Sequence, residues 1–212
     1  MKKYILLLAL LLSSTTFAVE PKFNDNFKQT KNEIETSSPG KIEVLELFWY
    51  GCIHCYSMDP YLDKWADSLP DDVVFKRVPA IPRKSWVPGA KAYFALETLG
   101  LEGKLHERLF DAIHKEKSVD PNNEAALISW ITLNGKLDEK EVKAAFYSFS
   151  IDTKLKKSYK IFKEAGATGV PTIIIDGNYM TSSTMAGGEK NAIDITNYII
   201  ENIRNDRKKT SE

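Results

Sequence analysis

The 212-residue chain has two cysteines, Cys52 and Cys55, both in the stretch FWYGCIHCYSM (48–58), with Ile53 and His54 between them. A C-x-x-C pair can act as a staple, as half a metal site or as a redox reagent. As a staple it is weak: closing a four-residue loop is worth only about 2 kcal/mol in the chain-entropy model, and so small a ring risks strained geometry. A structural zinc ion needs four ligands, and beyond the cysteines there are only His54 and the distant His106 and His114. The latter two lie eight apart on one predicted helix and read as surface histidines. A c-type haem site needs His directly after the second Cys, where this chain has Tyr56. No metal and no cofactor is therefore expected.

The redox reading uses the local context. Cys52 falls where a strand ends and a helix begins, at the N-cap. A side chain there accepts from the backbone N–H of the second or third helical residue, here His54 or Cys55. A Cys52 thiolate would also meet the positive end of the helix dipole. Cys55, a turn further in, has no such support and is expected to resolve a mixed disulfide. Each pH unit by which the Cys52 thiol is acidified favours the reduced form by about 1.4 kcal/mol. The disulfide then becomes the high-energy state and the protein an oxidant. His54 adds to this as a charged neighbour or hydrogen-bond donor, unless it is simply solvated.

Three further positions bear on the same chemistry. Glu46 is an acid in an apolar strand, six residues before Cys52. It is either a solvent-facing carboxylate or a buried carboxyl that moves protons to and from Cys55. Lys76, in the following strand, is its possible charge partner or a plain surface lysine. Val170-Pro171 precedes another strand. On sequence it reads as a loop proline; a cis bond, with Gly169 allowing a sharp approach, would free backbone groups for an extended substrate.

These residues need a frame. Lys2 and Lys3, the apolar run Tyr4–Leu12 and a small residue at Ala18 have the layout of a secretory signal over residues 1–18. The run is too short to span a bilayer, which takes about 20 residues. The remaining chain carries 27 basic and 29 acidic residues, a balance that argues against a nucleic-acid footprint. Residues 20–40 read as a polar lead-in. Lys41–Trp49 is a buried strand, a helix follows from Cys52 with a kink expected at Pro60, and Asp72–Ala80 is a parallel second strand. Helical periods fill 89–165, with stops at Gly100, Gly135 and Gly166 and a capping-box pattern at Asp138 and Glu141. VPTIIIDGNYM then returns to strand with an Asp176-Gly177 hairpin turn, and a final amphipathic helix precedes a tail, 206–212, expected to be disordered. A βαβ half and a ββα half separated by helices make an α/β, thioredoxin-like fold with an inserted all-helical domain. Its expected boundaries are 19–80 with 166–205, and 81–165.

The combination resembles one family, the DsbA-type periplasmic thiol:disulfide oxidoreductases. VLELFWYGCIHCYSM is similar to the family's active-site strand and helix, FKRVPA to its next strand, and TGVPTIIIDGNY to its proline loop and hairpin. The resemblance covers essentially the whole chain after the signal. It implies Cys52 as nucleophile, Cys55 as resolving thiol, His54 as thiolate stabiliser, Glu46 as buried acid and Val170-Pro171 as a substrate-facing cis-proline loop. It also implies a periplasmic monomer that oxidises exported proteins and is reoxidised by a quinone-linked membrane partner of the DsbB type. The family is itself the familiar example of a strongly oxidising, low-pKa cysteine, so that tendency comes with the resemblance. The departure is Ile53, where the family has Pro. Isoleucine restores an N–H that proline lacks at the first helical position and brings a β-branched side chain, so redox strength is expected to differ. Two alternatives stand beside this reading: a disulfide isomerase or reductase of the same fold, and a non-catalytic binding module or chaperone with an inert disulfide. Isomerases of this fold carry a dimerising domain, for which residues 19–40 are too short.

Overall fold

The structure, a computed structural model, describes residues 20–211; the expected signal segment 1–18 lies outside them. Strands β1 (Lys28–Gln29), β2 (Ile42–Phe48), β3 (Val73–Pro79), β4 (Thr172–Ile175) and β5 (Tyr179–Thr181) form one mixed sheet in the order β1-β5-β4-β2-β3. As expected for a βαβ unit, β2 and β3 are parallel, joined by helix α1 (Ile53–Ala66). β4 runs antiparallel to both β2 and β5. Every residue of β2 is buried, which is why it reads as a continuous apolar run and not as an alternation. Successive side chains point to opposite faces: Ile42 and Val44 pack with α1 and the last helix, Leu45 and Leu47 on the other side.

Between β3 and β4 lie α2 (Val87–Thr98), α3 (Glu102–His114), α4 (Glu124–Gly135), α5 (Glu139–Phe146) and α6 (Phe149–Ala165). They bury their own core around Leu96, Leu105, Leu109, Leu127 and Phe146, and that core continues into Phe48, Tyr50 and Cys55. The active-site segment thus sits on the seam between helices and sheet. α6 serves both parts: Ile151 lies in the helical core, and Ile161 and Ala165 pack on the sheet with Leu45, Leu47 and Ile174. After β5 come the short α7 (Ser183–Ala186) and α8 (Glu189–Ser211).

Several expectations change. The polar lead-in contains β1, whose hydrogen bonds come from β5, 150 residues away, so no local pattern announces it. α8 runs through the segment expected as a tail, with Arg207 ion-paired to Asp176 at 2.8 Å. Pro60 lies inside α1, as the sequence leads one to expect. Gly135 is the last residue of α4, and Lys136, at φ 55°, takes the left-handed cap. Asp138 caps α5 by accepting from the Lys140 N–H. The hairpin turn is where expected, with positive φ at Asp176 and Gly177. A Cβ on Gly177 would stand 2.0 Å from the Ile34 carbonyl oxygen, so only glycine fits.

Candidate active site

Cys52 is the N-cap of α1, extended at φ −92° and ψ 115°, and its Sγ accepts the Cys55 N–H at 3.4 Å. Both cysteines are free thiols; Cys52 is partly exposed and Cys55 fully buried. This difference separates their chemistry. The Cys52 thiol is lowered from 9.0 to about 6, first by the hydrogen bond from the Cys55 side chain, then by backbone N–H groups of Cys55 and His54 and the charge of His54, against an opposing effect of burial. Cys55 is pushed well above 9.0, first by burial and then by the neighbouring Cys52 and Glu46. His54 and Ile53 are both exposed, Ile53 by 52%, at the rim around the Cys52 sulfur.

The turn ahead of the cap is held tightly. Cys52 N–H donates to the Trp49 carbonyl at 2.9 Å. A Cβ on Gly51 would lie 2.4 Å from the Trp49 ring, which is stacked on Trp86 with centroids 4.2 Å apart. On the opposite wall the Val170–Pro171 bond is cis, and the Val170 carbonyl accepts from Cys52 Sγ at 3.4 Å. His54, Val170, Pro171 and Met185 share the lining of a groove of 270 Å³. Gly169 lines the same groove.

Glu46 is 1% exposed, and burial raises its carboxyl from 4.5 to about 8, with Arg77 opposing. Its charge partner is Arg77, not Lys76. In the parallel register Glu46 stands opposite Arg77, and both point to the α1 face. Arg77 Nε is 3.3 Å from Glu46 Oε2, without the alignment of a hydrogen bond. Lys76 points to the other face and binds Glu43 at 2.7 Å. Burial would raise Glu43, but hydrogen bonds from Lys76, Ser38 and Ser37 hold it below 4.5. Alternation along β3 puts Lys76 out of reach of Glu46.

The structure also brings in residues the sequence reading passed over. Arg77 lies 2.8 Å from Asp59 and 2.5 Å from Asp63, both on α1. His106 is not a surface residue of α3, and His114 is half-buried. His106 is 4% exposed and joins Tyr50 Oη, at 2.8 Å, to Asp59, at 3.1 Å. His114 Nε2 stands 2.7 Å from the Tyr50 carbonyl oxygen, and its ring stacks on Tyr56, whose hydroxyl donates to Asp111 at 2.7 Å. A signal for Asp59 was present: it falls on the same helical face as Cys55, Met58 and Leu62, where an acid has no place without a partner.

The arrangement is a dithiol with one accessible sulfur of lowered pKa, one buried sulfur and a buried carboxyl whose charge acts on the buried sulfur. Residues 77–192 match the model of the DSBA-like thioredoxin domain. The thiol:disulfide interchange protein DsbA of Azotobacter vinelandii is 35% identical over 86% of this chain and 85% of its own. That of Pseudomonas aeruginosa is 33% identical over 97% and 99%. The crystal structure of Pseudomonas aeruginosa DsbA superposes with a TM-score of 0.81 at 33% identity, covering 90% of this chain and 98% of that one. The oxidoreductase DsbA from Xylella fastidiosa gives a TM-score of 0.81 at 28% identity, covering 87% and 98%. The thioredoxin-like fold with its helical insertion, the paired thiols and these relatives together place the chain in the DsbA family of thiol:disulfide oxidoreductases.

Proposed function

We propose that this oxidoreductase works as a dithiol oxidase that transfers a Cys52–Cys55 disulfide to exported proteins in the periplasm, as a monomer and without a cofactor. The observation that carries this reading is the unequal placement of the two thiols. Cys52 is partly exposed at the N-cap of α1, its Sγ accepting the Cys55 N–H at 3.4 Å, and the Cys55 side chain and this N–H hold it low, whereas Cys55 is fully buried, which pushes it well above 9. A substrate thiolate attacks the accessible Cys52 sulfur. A substrate–Cys52 bond forms, the Cys52–Cys55 bond breaks, and the Cys55 sulfur leaves with the electron pair. That sulfur is buried and holds charge poorly, so it takes a proton, for which Glu46 is the donor. A second substrate thiolate then attacks the substrate sulfur of the mixed disulfide, making the substrate's disulfide and expelling the Cys52 thiolate. A low pKa makes Cys52 a good leaving group. Two electrons pass from the substrate dithiol to the protein.

His54 supports the Cys52 thiolate, Ile53 tunes the redox strength from the first helical position, and the Val170-Pro171 wall receives an extended substrate backbone in the groove it shares with His54. Reoxidation falls to a quinone-linked membrane oxidase of the DsbB type. In keeping with action away from the bilayer core, no helix among the described residues is long and apolar enough to cross a membrane. The role assignment is tested with single variants and a reduced protein substrate. Cys52→Ser abolishes its oxidation. The Cys52 thiolate of Cys55→Ser, mixed instead with the oxidised form of the substrate, attacks the substrate disulfide, expels one substrate thiolate and accumulates a Cys52–substrate mixed disulfide. Equal behaviour of the two variants contradicts the assignment.

A further inference from the structure

Beneath the thiols one guanidinium serves four acids. Arg77 Nη2 donates to Asp59 Oδ1 at 2.8 Å and to Asp63 Oδ1 at 2.5 Å, Nε faces Glu46 Oε2 at 3.3 Å, and Nη1 lies 3.7 Å from Glu102. The side chains of Asp63 and Glu102 are 46% and 30% exposed, so water screens them. The competition that matters is between the two buried acids, Glu46 at 1% and Asp59 at 2%. Asp59 has the better geometry, and the same Oδ1 is also met by His106 Nε2 at 3.1 Å. His106 is fixed in turn by Tyr50 Oη at 2.8 Å and by the rings of Phe48, Tyr93 and Phe110, each within 6 Å. A run of contacts, His106–Asp59–Arg77–Glu46, therefore leads from α3 of the helical insertion to the carboxyl whose charge acts on Cys55, its last link an ion pair at 3.3 Å without hydrogen-bond alignment.

We propose that Asp59, held in place by His106, is a positioning residue that draws the Arg77 guanidinium away from Glu46 and so keeps Glu46 protonated and able to serve Cys55. This rests on the reading of Glu46 as the proton donor. A carboxyl given a guanidinium to itself ionises and has no proton to deliver. With Asp59 taking the shorter contact, burial prevails at Glu46 instead. Of the charged groups facing Glu46, Asp59 and Asp63 raise its carboxyl and Arg77 lowers it, and a charge on Cys55 acts in the raising direction. Asp59 itself stays below 3.8 because its hydrogen bonds and charge contacts to His106 and Arg77 outweigh its burial. The helical insertion thus acts on the proton chemistry of the sheet through one histidine.

The test follows the Glu46 carboxyl by its infrared C=O band against pH, assigned by its loss in Glu46→Gln, with near-ultraviolet circular dichroism checking the fold. Asp59→Asn moves the Glu46 midpoint down by about one pH unit, a tenfold loss in proton affinity. The double variant Tyr50→Phe, His106→Phe keeps the aromatic packing but removes the hydrogen bond that fixes Asp59, and moves the Glu46 midpoint down by about threefold or more in proton affinity. A purely structural role for the pair would lower stability and leave both midpoints in place. An unchanged midpoint in Asp59→Asn, or an upward shift in the double variant, overturns the proposal. Should Asp59→Asn fail to fold, the double variant decides alone: a downward shift supports the proposal, and no shift or an upward one overturns it. A wild-type midpoint near 4.5 removes Glu46 as proton donor and this inference with it. A raised wild-type midpoint that ignores Asp59→Asn removes only the pair.

Discussion

Replacing Cys55 by alanine isolates the largest influence on the Cys52 thiolate. The Cys55 side chain is the first cause of the lowered Cys52 pKa, ahead of the backbone N–H groups and His54. Alanine deletes the S–H donor but keeps the backbone N–H that reaches Cys52 Sγ at 3.4 Å. A hydrogen bond to a charged acceptor contributes about 1.5–3 kcal/mol. At about 1.4 kcal/mol per pH unit, its loss moves the titration of Cys52 up by about one to two units from about 6. At pH 7 the thiolate fraction then falls from about nine-tenths to between about one-half and one-tenth. The assay is thiolate absorbance against pH, checked by the pH dependence of alkylation by iodoacetamide. Cys55→Ser keeps a donor at the same place and is expected to titrate close to the wild type. A Cys55→Ala midpoint still near 6 refutes the reasoning, because the helix terminus and His54 would then be sufficient without the second thiol.

Two further outcomes follow from the same geometry. The Glu46 pKa is raised from 4.5 to about 8 on folding, so the native state holds a proton that the unfolded chain releases, and stability is lost as pH rises across that window. Glu46→Gln therefore matches the wild type below pH 4.5 and is more stable by a few kcal/mol at pH 8 and above, at about 1.4 kcal/mol per unit, read from urea unfolding at a series of pH values. The same variant slows release of the Cys55 sulfur on the order of 10²-fold in stopped-flow mixing with a reduced substrate. Gly51→Ala drives a Cβ to 2.4 Å from the Trp49 ring, separates it from Trp86 and costs about 1–3 kcal/mol of stability, visible in the urea midpoint.

What could be read in the sequence was short in range. A buried strand running into a helix places Cys52 at the cap whatever the rest of the chain does, and the unequal roles of Cys52 and Cys55 follow from three residues of spacing. Glu46 announced itself as an acid in an apolar strand. Its partner did not, because choosing between Lys76 and Arg77 needs the register of β3 on β2, which no local pattern fixes. A shift of one residue exchanges the faces. His106 was misread for a related reason. It lies beside Leu105, Leu109 and Phe110 on the buried side of α3, and its polar atoms are satisfied only by Tyr50 and Asp59, 56 and 47 residues away. β1 depends in the same way on a strand near the other end of the chain.

The claim on which everything else depends is that an acidified Cys52 makes the disulfide the high-energy state. The redox midpoint of the Cys52–Cys55 pair, measured in glutathione buffers across pH 5 to 8, tests it directly. The account predicts a midpoint at pH 7 more positive than about −200 mV. It also predicts a slope that changes from about 59 mV per pH unit to about 30 mV as Cys52 loses its proton near pH 6. A midpoint below about −250 mV, in the range of thioredoxins, or a slope that stays straight through pH 6, contradicts it.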